Sequence, residues 1–177
     1  VALVDAGEYE DALLALGQLD GYKDSEDYMN KARYLMAADM MAKGSYAEAK
    51  ALLEAIGDYA DAPSLANECV YQMALETASE GKLTQAAEMF QSISSYQDAA
   101  IRQQECAYQA AQNAREENDL AAAAKYFALA GAYKDAAAQA EACSESYYAS
   151  AYAAAKRALQ TQDYKGVVDA LAGLAGT

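Results

Sequence analysis

The stretch AYKDA at 132–136 has close counterparts in SYQDA at 95–99, DYADA at 58–62 and GYKDS at 21–25. The tyrosines of neighbouring stretches are always 37 residues apart, and the aspartates two positions later keep the same interval. A constant period between about 20 and 50 residues is typical of arrays in which each repeat buries its apolar face against its neighbours. The sequence therefore predicts a helical or solenoid-like array with a period of 37 residues.

Each repeat contains two stretches with the periodicity of an α-helix. Over 24–43 the apolar residues recur at intervals of three and four, and Gly44 follows as a C-terminal glycine would. A second apolar set runs over 46–56 and is closed by Gly57. We therefore predict an all-α protein in which a long helix is followed by a shorter one that doubles back on it.

The aspartate of each Tyr-x-Asp motif stands where a helix N-cap belongs. Its carboxylate is predicted to accept a hydrogen bond from the second or third N–H of the following helix. Pro63 falls in the first turn of its helix, where a missing N–H is harmless. The tyrosine before the cap is predicted to pack its ring on the helix below. Alternatively, the four tyrosines and aspartates form a repeated binding edge.

The second half of the repeat reads Gly-x-Tyr/Leu-x-x-Ala-x-x-x-Leu/Phe-x-x-Ile at 44–56 and 81–93, and more weakly at 118–130. This pattern resembles the tetratricopeptide repeat across essentially the whole chain. Small residues stand at the family's small position of the first helix, at Ala37, Ala74 and Ala111. More narrowly, the chain resembles bacterial arrays with a Tyr-Lys-Asp turn and one cysteine per repeat.

Three features depart from the tetratricopeptide pattern. The period is 37 rather than the family's 34, and tryptophan is absent. The family's proline near the end of the repeat is replaced by aspartate, at Asp61, Asp98 and Asp135. The resemblance nevertheless implies a right-handed α-solenoid of stacked helix-turn-helix repeats, with a concave groove that binds protein segments.

We predict one solenoid over 1–177. Its repeats are a half repeat at 1–20, three full repeats at 21–57, 58–94 and 95–131, and a longer last repeat at 132–177. In that last repeat, 27 residues separate Asp135 from Gln162, where 20 separate Asp98 from Asn118. Seven extra residues are about two helical turns, so the last long helix is expected to be longer without a change of face.

A line of tyrosines is the strongest candidate for a binding site. Tyr34, Tyr71 and Tyr108 are again 37 residues apart, and the resemblance places them on the groove side of the first helix. Rigid amphipathic rings there would contact a peptide or a partner helix. Their predicted neighbours in the groove are Leu75 and Gln112, together with Ala38, Lys31, Glu68 and Glu105. The alternative is that the rings only fill space between neighbouring first helices.

Composition argues against several other functions. Histidine is absent, so the usual general base and the commonest zinc ligand are missing, and we expect no enzymatic activity, metal or cofactor. With 13 basic and 27 acidic residues, the chain repels nucleic acid. Few basic side chains line the predicted groove, so it is not expected to clamp an acidic chain terminus. No apolar stretch is long enough to insert into a membrane.

The three cysteines fall one per repeat, at Cys69, Cys106 and Cys143. Equivalent positions in stacked repeats lie about 8–10 Å apart, beyond disulfide reach, so the cysteines are expected to be reduced and packed between first helices. The chain begins with Val1 and carries no signal-peptide pattern, so we expect it to be a segment of a longer protein. These features do not assign the protein to a cellular compartment.

The sequence thus predicts a non-enzymatic protein–protein interaction module that presents a concave groove to a protein segment or peptide. The alternative is a rigid structural spacer within a larger multidomain protein. The two differ in whether the exposed faces of the repeats bind anything.

Overall fold

The structure is a computed structural model that describes residues 2–19, 21–172 and 174. These residues form ten α-helices and no β-strand, which confirms the prediction of an all-α protein. The predicted repeat ends at 1, 20 and 177 lie outside the described residues. In chain order the helices are α1 (Ala2–Asp5), α2 (Tyr9–Gly17), α3 (Ser25–Ala42), α4 (Tyr46–Ala55), α5 (Ala62–Ser79), α6 (Leu83–Ser92), α7 (Ala99–Glu116), α8 (Leu120–Ala130), α9 (Ala136–Gln160) and α10 (Tyr164–Ala172).

The chain divides into two compact halves, Val1–Ala100 and Ile101–Thr177. In the N-terminal half, each helix from α2 to α5 packs on the helix that follows it. In the C-terminal half, α8 packs on α9 and α9 packs on α10, while α7 shares a buried core with α8. Within each half, helices that are neighbours in sequence are therefore neighbours in space. The single solenoid over 1–177 stays a prediction.

A left-handed residue after each long helix turns the chain back on itself. After α3, Gly44 has a φ of 79° and donates its N–H to the carbonyl of Met41, while Ser45 donates to Met40. This Schellman arrangement suits glycine, which has no Cβ to clash at positive φ. The prediction that Gly44 ends the first helix is confirmed. The same pair of bonds follows α5, α7 and α9, where the left-handed residues are Gly81, Asn118 and Gln162.

The Tyr-x-Asp motif forms the turn between one hairpin and the next. In the second motif, Ala60 has a φ of 50°, and Ala62 donates its N–H to the carbonyl of Tyr59 at 3.0 Å. The other three turns have the same hydrogen bond and the same left-handed middle residue. The residue after the aspartate is buried in every motif, so a larger side chain there would overpack the core. These buried residues are Ser25, Ala62, Ala99 and Ala136.

One alanine-to-glycine substitution is expected to stabilise the protein because of this turn. Ala60 is exposed and left-handed, a conformation in which the Cβ is unfavourable. We expect Ala60→Gly to raise the free energy of unfolding by about 0.5–1 kcal/mol. Ala51→Gly, at an exposed position inside α4, should lower it by about 1 kcal/mol. Urea denaturation followed by circular dichroism measures both, and effects of the same sign would contradict the role assigned to the turn.

Within each half, the buried core joins both helices of a hairpin to the first helix of the next. In the N-terminal half, Leu53 of α4 is 1% exposed and shares a cluster with Ala62 and Cys69 of α5. In the C-terminal half, Phe127 of α8 is fully buried in a cluster with Cys143 of α9. Small residues on the covering helix let the two backbones approach closely around one large side chain.

The length of α9 agrees with the expected extension. It contains 25 residues, whereas α3, α5 and α7 contain 18 each. The difference of seven residues is the one predicted from the spacing between Asp135 and Gln162. Pro63 also lies in the first turn of α5, as predicted.

Candidate functional site

The three tyrosines of the predicted groove line bind the aspartates of the next Tyr-x-Asp motif. The hydroxyl of Tyr34 donates to Oδ1 of Asp61 at 2.5 Å. The hydroxyl of Tyr71 donates to Asp98 at 2.5 Å, and that of Tyr108 donates to Asp135 at 2.6 Å. Each bond spans 27 residues and joins the middle of a long helix to the turn that starts the next hairpin. We call these three contacts the Tyr–Asp ties.

Aromatic contacts accompany the ties. The ring of Tyr59, the tyrosine of the second motif, meets the ring of Tyr34 edge to face at 6.0 Å. Tyr96 and Tyr71 form the same pair at 6.2 Å. Tyr133 lies 5.6 Å from Tyr108 in the C-terminal half. The prediction that the motif tyrosine packs on the preceding helix is confirmed for these three, and edge-to-face geometry is favourable for such rings. It is not confirmed for Tyr22, which is 61% exposed.

The capping role predicted for the motif aspartates is wrong for Asp24, Asp61 and Asp135. Each occupies the N-cap position, but none accepts a side-chain hydrogen bond from its helix. The carboxylates of Asp61 and Asp135 accept from tyrosine hydroxyls instead. Side-chain caps do occur on the short helices, where Asp119 accepts from Ala122 and Asp163 accepts from Gly166, both at 2.9 Å.

A second carboxylate supports two of the turns. The hydroxyl of Tyr96 donates to Glu68 at 2.7 Å, and that of Tyr133 donates to Glu105 at 3.3 Å. The residue one repeat before Glu68 is Lys31, which pairs with Asp5 at 3.4 Å. Glu68 and Glu105, which the sequence placed in the groove, therefore hold turn tyrosines in this structure.

Hydrogen bonding in the ties shifts the ionisation of both partners. The bond to Asp61, with burial and the negative charge of that carboxylate, raises the pKa of Tyr34. The bond to Asp135 raises the pKa of Tyr108 for the same reasons. In turn, Tyr108 lowers the pKa of Asp135, with a smaller contribution from the amide of Gln139. The ties therefore favour neutral tyrosine and ionised aspartate.

The depressed pKa of Asp135 leads to a prediction about pH. A folded pKa below the unfolded one means that Asp135 stabilises the fold fully above its unfolded pKa of about 3.9. That contribution is lost as the pH falls through the lower folded value. We expect Tyr108→Phe to raise the folded pKa of Asp135 towards the ordinary value, as measured by carbon-13 NMR titration of its carboxyl carbon. Tyr164→Phe, at an exposed position, is the control, and an unchanged pKa in Tyr108→Phe would contradict the tie.

The structure places the predicted groove residues at different depths. Tyr71 and Tyr108 are buried, with 7% and 9% of their surface exposed. Tyr34, Leu75 and Gln112 are half-buried. Leu75 and Gln112 each follow a tie tyrosine by four residues, one helical turn, and so share its face of the helix. A partner-binding role for these five residues stays a prediction.

The cysteines are free and buried. Burial is the main cause that raises the pKa of Cys69 and of Cys106, which keeps both as unreactive thiols. Within the described residues, no group of three or more cysteine and acidic side chains is placed to hold a metal ion. None of the described helices combines the length and apolar character needed to cross a membrane.

A scan against protein-family models, a search of the curated proteins and a search of the solved structures each found no match to this chain.

Proposed function

We propose that this chain is a non-enzymatic protein–protein interaction module, built as a right-handed solenoid of tetratricopeptide-like repeats with a 37-residue period. Its concave groove presents the first helices of the hairpins to a protein segment or peptide. The observation that carries the proposal is the Tyr–Asp tie, which recurs with the same partners, the same 27-residue span and nearly the same length.

Repetition of one tie supports a preformed binding surface. A tie fixes a first helix relative to the turn that begins the next hairpin, so within each half equal ties favour equal spacing of neighbouring first helices. Side chains on those helices then hold their positions before a partner arrives. A surface that is already ordered loses little conformational entropy on binding, which favours affinity.

Leu75 and Gln112 are the residues that we propose to contact the partner most directly. Both are half-buried, and each lies one turn beyond a buried tie tyrosine on the same helix face. Tyr71 and Tyr108 form the base beneath them, while the half-buried ring of Tyr34 adds contact area. The proposed surface offers apolar and amide groups, which suit contact with a protein segment.

A rigid spacer is the second candidate, and the ties also favour it. All three tie hydroxyls are engaged by carboxylates of the same chain. Side chains used in this way fasten neighbouring hairpins and stiffen the array without any partner. The interaction module needs its exposed groove positions for binding, whereas the spacer does not.

The test is selection of peptides from a random display library, followed by affinity measurement on the purified chain. We expect selected peptides to shift NMR amide signals near Leu75 and Gln112. Leu75→Gln should weaken their binding by about tenfold or more, because an interface usually depends on a few anchors. Leu129→Gln, at a 37%-exposed position on α8, is the matched control. Failure to select any binder, or equal losses in both variants, would favour the spacer.

A further inference from the structure

An apolar stripe is exposed on α10. Tyr164, Val168 and Leu171 follow at intervals of four and three residues and therefore share one helix face. Their exposed fractions are 68%, 66% and 39%. A three-residue apolar face on a nine-residue helix is more than the isolated exposed side chains that are normal on protein surfaces.

In the other short helices, the position equivalent to Leu171 is buried. Leu171 stands nine residues after Gln162, the left-handed residue of its hairpin. Leu53 and Phe127 stand nine residues after their own left-handed residues, and they are 1% and 0% exposed. The clusters that bury them contain the first helix of the same hairpin and also the first helix of the next one, which is α5 for Leu53 and α9 for Phe127.

On α9, a fourth tyrosine stands in the register of the tie tyrosines. Tyr152 lies ten residues before Gln162, as Tyr108 lies ten before Asn118 and Tyr34 ten before Gly44. Tyr152 is 67% exposed. Its hydroxyl makes no hydrogen bond within the described part of the chain. Tyr152, Tyr164, Val168 and Leu171 together form what we call the terminal surface.

The two covering helices show what such a surface accepts. Each starts directly after the aspartate of a Tyr-x-Asp turn, whose carboxylate accepts the tie hydroxyl. Each then places small residues at its first, fifth and eighth positions against the short helix. These residues are Ala62, Ala66 and Cys69 in α5, and Ala136, Ala140 and Cys143 in α9.

We infer that the terminal surface is a docking site for an α-helix from outside residues 1–177. The helix is preceded by a Tyr-x-Asp turn and carries small residues at its first, fifth and eighth positions. Its aspartate accepts a hydrogen bond from Tyr152, and its small residues pack on Val168 and Leu171. Lys156 is exposed one turn beyond Tyr152 and favours an acidic helix start. This inference does not depend on the proposed groove.

A second copy of the chain is not expected to fill the terminal surface. Its helices that follow a Tyr-x-Asp turn already pack against short helices of their own chain. Ala62, Cys69 and Ala136 are completely buried, and Cys143 is 3% exposed. Presenting them to another copy would require an existing hairpin to open. A separate helix has no such cost.

The probe is a fluorescent synthetic peptide with the sequence of residues 58–79, in which Cys69 is replaced by serine. It carries the turn and the small residues of α5, and its binding to the intact chain is followed by fluorescence anisotropy. We expect saturable binding that Leu171→Asp and Val168→Asp each weaken by about tenfold or more. Leu14→Asp, at a 68%-exposed position on α2, should leave the affinity unchanged. Circular dichroism confirms that the variants are folded.

A double-mutant cycle tests the new tie. Tyr152→Phe in the chain and Asp61→Ala in the peptide should each weaken binding by about three- to tenfold. The combined loss should be no greater than either alone, because both remove one hydrogen bond. Absence of saturable binding, or insensitivity to Leu171→Asp and Val168→Asp, would overturn the inference. It would also be overturned if sedimentation showed the chain itself to dimerise through the terminal surface.

Discussion

Phe127→Ala is expected to lower the free energy of unfolding by about 3–5 kcal/mol. The side chain is completely buried and contacts the ring of Tyr108 edge to face at 5.3 Å. Its removal leaves a cavity between α8 and α9 that the small residues around it cannot fill. Because Phe127 packs in one cluster with residues of both α7 and α9, the loss is expected to destabilise the whole C-terminal half. Urea denaturation followed by circular dichroism measures it.

Leu129→Ala is the matched control on the same helix. Leu129 is 37% exposed, so truncation removes less buried apolar area and leaves no enclosed cavity. We expect a loss below about 1 kcal/mol. Similar losses for both variants would contradict the assignment of Phe127 to the core and of Leu129 to the surface.

The repeated pattern of the second helix groups Phe127 with the equivalent residues of the other repeats. Phe90 and Leu53 occupy the same place in their repeats, and all three are at most 1% exposed. When repeats pack on one another in the same way, each repeat has the same space to fill in its core. A large apolar residue therefore recurs at one position, with small residues at fixed distances from it, and the sequence reveals this pattern. The hairpin turn at Gly44 is also predictable from the sequence, because glycine adopts a positive φ more readily than other residues.

The Tyr–Asp ties were not predicted, although both partners had been singled out. Asp61 was interpreted through its local sequence as a helix cap, and Tyr34 through the resemblance as a groove residue. Local propensity does not decide between two acceptable hydrogen bonds for one carboxylate, and the tertiary contact determined the outcome. A signal did exist, since Tyr34, Tyr71 and Tyr108 each precede a motif aspartate by 27 residues.

The left-handed residues of the motif were also missed. Ala60 and Gln97 have φ values of 50° and 45°, yet neither is a residue type that favours this region. The tie aspartate and the buried small residue follow the middle position, and the packed tyrosine precedes it. These contacts fix the turn, so the middle position accepts a strained residue. Sequence alone gave no glycine or asparagine there to indicate the turn type.

Tyr71→Ala is expected to lower the free energy of unfolding by about 3 kcal/mol or more, because Tyr71 is 7% exposed. The ring contacts Phe90 at 5.5 Å and Tyr96 at 6.2 Å, and truncation removes both contacts. Tyr71→Phe keeps the ring and removes only the hydroxyl that donates to Asp98, so we expect a loss of about 1 kcal/mol. Urea denaturation of the two variants separates packing from the tie.

The comparison of these two variants also bears on function. A variant that loses the Tyr71 ring changes the fold and any groove together, so lost binding in it has two causes. Tyr71→Phe leaves the helix face in place while weakening one tie. Under the interaction proposal, peptides selected on the intact chain should still bind Tyr71→Phe within about threefold, and Leu75→Gln should lose much more. If Tyr71→Phe instead weakened binding as strongly as Leu75→Gln, the hydroxyl itself would contact the partner, and the tie would have to open on binding.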